Sequence, residues 1–184
     1  MRNFIQVANF DVTQLLLQLQ RNDNLWNQHD DRTTRALTAH NETSDIWLRY
    51  RPLDQLINSA SYNEPFCEFV WYPAYYKLPE IRLITQALMQ KVSGTQLGGV
   101  LITRIPPGCQ VKPHSDKTAW HANYFNTKIY TVLQANQFCT NYADDEQITM
   151  KPGESWVFDN CKLHSVENLG DSDRITLITS IRCD

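Results

Sequence analysis

His114 and Asp116 stand two residues apart in the stretch Val-Lys-Pro-His-Ser-Asp at 111–116, with Trp120 and His121 just beyond. On an extended segment, side chains at i and i+2 point the same way, so an imidazole nitrogen and a carboxylate oxygen can face one point. Holding a metal ion there takes a further donor from a distant strand. His164, in "DNCKLHSVENLGDSDRITLI", lies in the region that offers one. Two imidazoles and one carboxylate on one face of a metal leave the remaining positions open, the arrangement used by non-haem Fe(II) oxygenases. A His-x-Asp pair alone is weak evidence for such a site, because composition produces it often.

Arg174, ten residues after His164, adds a second kind of chemistry. A 2-oxoglutarate cosubstrate chelates iron through its keto oxygen and nearer carboxylate, so its far carboxylate needs a fixed cation. The planar fork of arginine suits that task by bidentate hydrogen bonding. The bland reading is a surface arginine paired with Asp171 or Asp173. A cupin-like metal-binding module or isomerase without O2 chemistry is the alternative, and a carboxylate clamp beside the metal discriminates against it.

These residues need strands to position them. From residue 97 onward the chain reads as short strands: 97–105, about 109–114, 128–134, 146–150, 155–160 and 174–182, punctuated by Pro-Pro-Gly, Asp-Asp, Pro-Gly and Leu-Gly-Asp. Strands in succession with no helix between them predict an antiparallel sandwich or jelly roll rather than a parallel βαβ sheet. The first half is mixed. Leu15, Leu16 and Leu19 predict a helix capped by Asp11 or Thr13; "DIWLRYR" at 45–51 alternates as a strand; Ile81, Ile84, Leu88 and Val92 predict a helix opening at Pro79 and closing at Gly94. Residues 25–44 read as polar and irregular. No linker interrupts the chain, so the expectation is one domain over 1–184, with 1–96 a helical and mixed support region and 97–182 the jelly-roll core.

Composition sets outer limits. The 184 residues are 42% hydrophobic with a formal net charge of −3, an ordinary globular balance. Lysines and arginines are scattered, so no general nucleic-acid surface is evident. No stretch approaches the length of an apolar membrane span, and the expected location is the cytoplasm. The five cysteines, at 67, 109, 139, 161 and 183, have no C-x-x-C spacing and read as reduced, buried small hydrophobes. Trp47, Trp71, Tyr72, Tyr75, Tyr76, Trp156 and Phe158 read as core and sheet interface. His29 reads as a solvated or capping residue, and sequence leaves His40 undecided.

The stretch "LGGVLITRIPPGCQVKPHSDKTAWHANYFNTKIYTVLQ…PGESWVFDNCKLHSVENLGDSDRITLITSIR" resembles the aspartyl/asparaginyl β-hydroxylase branch of the Fe(II)/2-oxoglutarate dioxygenases, particularly the short versions found in phage genomes. The similarity covers 97–182, and "SDIWLRY" and "WYPAYYKLPEIR" extend it toward residue 44. The resemblance implies a double-stranded β-helix, a cupin-like jelly roll, with N-terminal and flanking helices outside. It implies a hydroxylase that uses Fe(II), 2-oxoglutarate and O2, releases succinate and CO2, and acts on an amino-acid side chain in a protein, peptide or free amino acid. If phage-encoded, such an enzyme works in the host cytoplasm.

By the same resemblance, His114 and His164 ligate iron and Arg174 binds the cosubstrate carboxylate. Thr103 matches a hydroxyl position that adds a second hydrogen bond to that carboxylate. Lys128 falls near a basic position that faces the cosubstrate, and Tyr130 sits where it reaches the iron-bound carboxylate. Animal members have glycine where this chain has Asp116, so Asp116 stands either as a third ligand or as a partner orienting His114 or substrate. The insertion at 117–126 forms the lip of the cavity, with Trp120, His121 and Tyr124 as substrate contacts.

Overall fold

The computed structural model describes residues 2–54 and 68–184, apart from the side chains of Trp120 and His121. Cys67 lies outside the described residues.

Eleven strands form two antiparallel sheets among the described residues. In chain order they are β1 (Phe4–Asn9), β2 (Ser44–Tyr50), β3 (Val70–Trp71), β4 (Gln96–Ile105), β5 (Gln110–His114), β6 (Thr127–Gln134), β7 (Cys139–Ala143), β8 (Glu146–Ile148), β9 (Glu154–Phe158), β10 (His164–Asn168) and β11 (Arg174–Arg182). The large sheet runs β1-β9-β6-β11-β4-β2-β3, and the small one β5-β10-β7-β8. This is the expected mainly β jelly roll. Its central strands are those whose sequences alternate most clearly.

Two cores follow from that alternation. Leu177 and Ile181 of β11, Val100 and Ile102 of β4, Ile129 of β6 and Leu48 of β2 point outward and pack under α1 (Thr13–Arg21) and the long helix α4 (Glu80–Lys91). The helices supply Leu15, Leu19, Ile81, Ile84 and Leu88, each at most 5% exposed. Pro79 caps α4 with its fixed φ, and the helix ends at the expected place. The second core lies between the sheets. It joins Leu101, Ile105, Tyr130, Val132, Phe158 and Ile178 of the large sheet to Val111, Ala143 and Val166 of the small one.

The segment 25–44 is less irregular than its polarity suggests. A 3-10 turn (Asp23–Leu25) and a short helix α2 (Asp31–Thr34) lead to a loop that closes on β5 through Lys112 N–H donating to Ala39 O at 2.9 Å. That bond brings residues 32–40 against the small sheet. A short helix α3 (Pro73–Lys77) follows β3, and α5 (Trp120–Tyr124) lies within the insertion at 117–126. Not every aromatic is core: Trp47 and Tyr72 are buried, whereas Tyr76 is 72% exposed and Trp71 37%. Tyr76 sits on the outer side of the short α3, which is too brief to bury more than one face.

Candidate active site

The small sheet sets the first two groups. β5 and β10 pair so that His114 lies directly opposite His164, and the register shifts between His164 and Val166. A bulge of this kind bends the strand and re-aims a side chain. β5 tolerates Pro113 because it is an edge strand. The imidazole rings stand 4.2 Å apart. His114 Nδ1 lies 2.8 Å from Lys112 O and His164 Nδ1 lies 2.9 Å from Lys162 O. A carbonyl only accepts, so each Nδ1 carries the hydrogen and each Nε2 keeps its lone pair free.

Asp116 completes the group. Ligand atoms of His114, Asp116 and His164 all lie within 4.8 Å of one another, and His114 Nε2 is 3.8 Å from Asp116 Oδ1. The loop carrying Asp116 is tied down by its own N–H donating to Asn160 O at 3.0 Å. Burial alone would raise the carboxyl, but the Lys128 ammonium and the Asn160 amide outweigh it and hold Asp116 well below the usual carboxylate range. Burial, reinforced by His114, lowers His164 to about 4, and burial lowers His114 too. The result is two neutral imidazoles and one ionised carboxylate, the protonation states that a divalent transition metal requires.

A cavity of about 160 Å³ opens in front of these groups. One wall is apolar and aromatic, with Tyr50, Phe69, Leu101, Phe125 and Ile178; the other carries Arg32, Arg35, His40 and Lys128 beside the three ligand candidates. Gly98 makes the aromatic wall possible, since a Cβ there would sit 2.7 Å from the Phe125 ring.

Arg174 lies deeper. Ile178 and Ser180 of β11 line the cavity, and the period of two puts Arg174 and Thr176 on that same inner face. Tyr130 joins the two regions: it lines the cavity, and its ring lies 5.8 Å from the Arg174 guanidinium carbon. Arg174 is 2% exposed and donates to Asn141 Oδ1 at 2.8 Å, with no carboxylate within ion-pair distance among the described residues. Neither Asp171 nor Asp173 pairs with it. A buried guanidinium without an acid is costly unless an anion fills the space it faces.

The other candidate residues have partners of their own. The Thr103 hydroxyl donates to Asp45 Oδ1 at 2.8 Å. On the neighbouring strand its registered partner Thr176 keeps a buried hydroxyl with no partner among the described residues. Lys128 donates to Asp116 Oδ2 at 2.5 Å. Tyr124 donates to Gln96 Oε1 at 2.9 Å and packs under Arg182, outside the cavity lining. The side chains of Trp120 and His121 lie outside the described part of the structure. His29 packs edge-on against Tyr72 at 4.7 Å.

Sequence reasoning passed over a buried polar chain beside the site. Asp45, 1% exposed, also accepts from Arg32 Nη1 at 2.7 Å, and Arg32 Nη2 lies 3.0 Å from His40 Nδ1. His40 stands edge-on to His114, ring centres 5.0 Å apart. Arginine only donates, so His40 Nδ1 accepts and its Nε2 bears the hydrogen. Neither nitrogen is then free to ligate. The readable signal was Asp45 directly before the apolar run Ile46–Trp47–Leu48.

A jelly roll with two histidines and a carboxylate converging between its sheets defines a non-haem iron oxygenase scaffold. Residues 70–183 match the aspartyl/asparaginyl β-hydroxylase family, and the chain belongs to that family. It is accordingly a 2-oxoglutarate-dependent dioxygenase. No curated protein matches the chain in sequence. Among solved structures it is similar to a prolyl hydroxylase from Trichoplax adhaerens in complex with a hypoxia-inducible-factor peptide fragment, with 11% identity over 98% of this chain and 83% of that one and a TM-score of 0.62. It is also similar to a viral collagen prolyl hydroxylase from Paramecium bursaria chlorella virus-1 (11% identity, 100% and 97% covered, TM-score 0.57). A prolyl-4-hydroxylase from Pseudomonas putida matches with 14% identity, 100% and 94% covered, and a TM-score of 0.56. At such identities these likenesses establish the shared fold. Among the described residues no helix is long and apolar enough to cross a membrane.

Proposed function

We propose that this chain hydroxylates an unactivated C–H bond of an amino-acid side chain, in a protein, a peptide or a free amino acid, with release of succinate and CO2. His114, Asp116 and His164 would hold Fe(II), and Arg174 would hold the far carboxylate of 2-oxoglutarate. When bound, iron, 2-oxoglutarate and O2 together supply the oxidising power for C–H cleavage.

The observation that carries this reading is Arg174. A 2%-exposed cation whose neighbours are the neutral Asn141 amide and the Tyr130 ring is suited to an anion, and Tyr130 also lines the cavity that holds the three ligand candidates. Metal binding alone needs no such group, which favours a dioxygenase over a cupin-like binding module. Thr176 offers a hydroxyl on the same face and is the better-placed second donor for that carboxylate. The aromatic wall would keep water from the reacting side chain, and His40 and Arg35, the latter ion-paired with Asp31, line the same cavity. The test is incubation with Fe(II), 2-oxoglutarate, O2 and panels of amino acids and peptides. Succinate formation with a product one oxygen atom heavier, both absent in His164→Ala, is the expected result. Succinate yields equal in wild type and His164→Ala would overturn it.

A further inference from the structure

Asp116 does more in this structure than complete a ligand set, because its two oxygens are treated differently. Oδ2 accepts from Lys128 Nζ at 2.5 Å and from Asn160 Nδ2 at 2.9 Å. A carboxylate oxygen has about two lone-pair sites, so these donors saturate Oδ2. Oδ1 is the oxygen 3.8 Å from His114 Nε2 and takes neither of these bonds. Each donor has its own place in the fold. Lys128 sits in β6 opposite Phe158 of β9, and Asn160, 4% exposed, follows β9 with its carbonyl held by the Asp116 N–H.

We propose that Lys128 and Asn160 are positioning residues that confine Asp116 to a single metal-facing oxygen. The inference rests on the triad being the metal site and goes beyond it. A carboxylate free to turn can bind a metal through both oxygens, closing a position that a chelating cosubstrate or O2 needs. Saturating Oδ2 keeps that position open. Lys128 therefore acts through Asp116, and its ammonium is committed there before any cosubstrate arrives.

The experiment loads the full-length protein with Mn(II), without cosubstrate, and measures water-proton relaxivity, which scales with the number of waters on the metal. Six-coordinate Mn(II) with two imidazoles and one carboxylate oxygen carries about three waters. The double variant Lys128→Met/Asn160→Ala is expected to lose about a third of that relaxivity as the second oxygen coordinates. Lys128→Arg, which keeps a cationic donor, should hold the wild-type value, and Asp116→Ala should raise it by about a third because water replaces the ligand. Lys128→Met alone provides the same readout in milder form if the double variant folds poorly. Unchanged relaxivity in Lys128→Met and in the double variant, with Mn(II) still bound stoichiometrically, overturns the clamp and leaves the metal site standing. Failure of wild type to bind Mn(II) overturns both.

Discussion

Replacing Arg174 by methionine separates binding from folding in a way few substitutions can. The guanidinium is 2% exposed and has no acidic partner among the described residues, so folding buries an uncompensated charge. Methionine fills similar volume without that charge, and swaps of buried ionic groups for apolar ones are commonly neutral or stabilising by about 1–4 kcal/mol. The gain is partly offset by Asn141 Oδ1, which loses its donor at a cost of roughly 1 kcal/mol. Cosubstrate-free Arg174→Met is therefore expected to melt at or above the wild-type temperature. Binding moves the other way. Two charge-assisted hydrogen bonds to a carboxylate contribute about 1.5–3 kcal/mol each, so the Kd for 2-oxoglutarate rises roughly 100-fold or more. At about 100 times the wild-type Kd, with Mn(II) present, 2-oxoglutarate stabilises wild type by about 2.7 kcal/mol, or roughly 5–10 °C at this chain length. The variant should gain about 0.4 kcal/mol or less, a shift near 1 °C. Differential scanning fluorimetry measures both. A variant that melts well below wild type yet keeps its full 2-oxoglutarate shift would refute the anion-site argument.

Other expectations follow from the same geometry. His164 is held at about 4 by burial and by His114, and His114 and His40 move in the same direction. Below about pH 6.5 the unfolded chain then binds more protons than the folded one. Stability of the metal-free protein, full above pH 6.5, should fall toward pH 4 by up to about 1.4 kcal/mol per pH unit for each histidine. Equal urea midpoints at pH 7 and pH 5 would contradict this. Asp45→Ala strands Arg32 and should cost about 3 kcal/mol in urea unfolding, whereas a loss under ~1 kcal/mol would mean the buried pair is unimportant. Gly98→Ala drives a methyl into Phe125 and should cost about 1–3 kcal/mol, and a neutral result would show that the aromatic wall yields.

What the sequence made legible divides along a physical line. Strands β4, β6 and β11 alternate because one face packs under helices and the other lines an interior, so 97–105, 128–134 and 174–182 read correctly within a residue. Strands β7 (CTNYA) and β10 (HSVEN) escaped notice because the site needs polar groups inside: Asn141 holds Arg174, His164 is a ligand candidate, and Asn168 donates to Ile105 O at 2.9 Å. Alternation of hydrophobic residues is lost where function replaces them. β1 was missed for another reason: it is an edge strand whose Ile5 is 54% exposed, so its outer residues carry little core signal.

At the site itself, the two-residue spacing and the distant histidine were readable, and the structure brings them together. The partners of the neighbouring groups were not. Lys128 meets Asp116 where the loop after β5 reaches across to the large sheet, and Thr103 meets Asp45 directly across the β2–β4 pairing, over 12 and 58 residues of chain. Arg32 lies in a segment too polar to signal any structure, yet a backbone bond from Lys112 to Ala39 ties that segment beside the candidate metal ligands.

The most direct test is anaerobic titration of Fe(II) and 2-oxoglutarate into the purified protein while recording visible charge-transfer absorption. Wild type should develop the band, His164→Ala should abolish it, and Arg174→Ala should require far more 2-oxoglutarate to reach it. Stoichiometric Fe(II) binding with no band at saturating 2-oxoglutarate would contradict a working cosubstrate site.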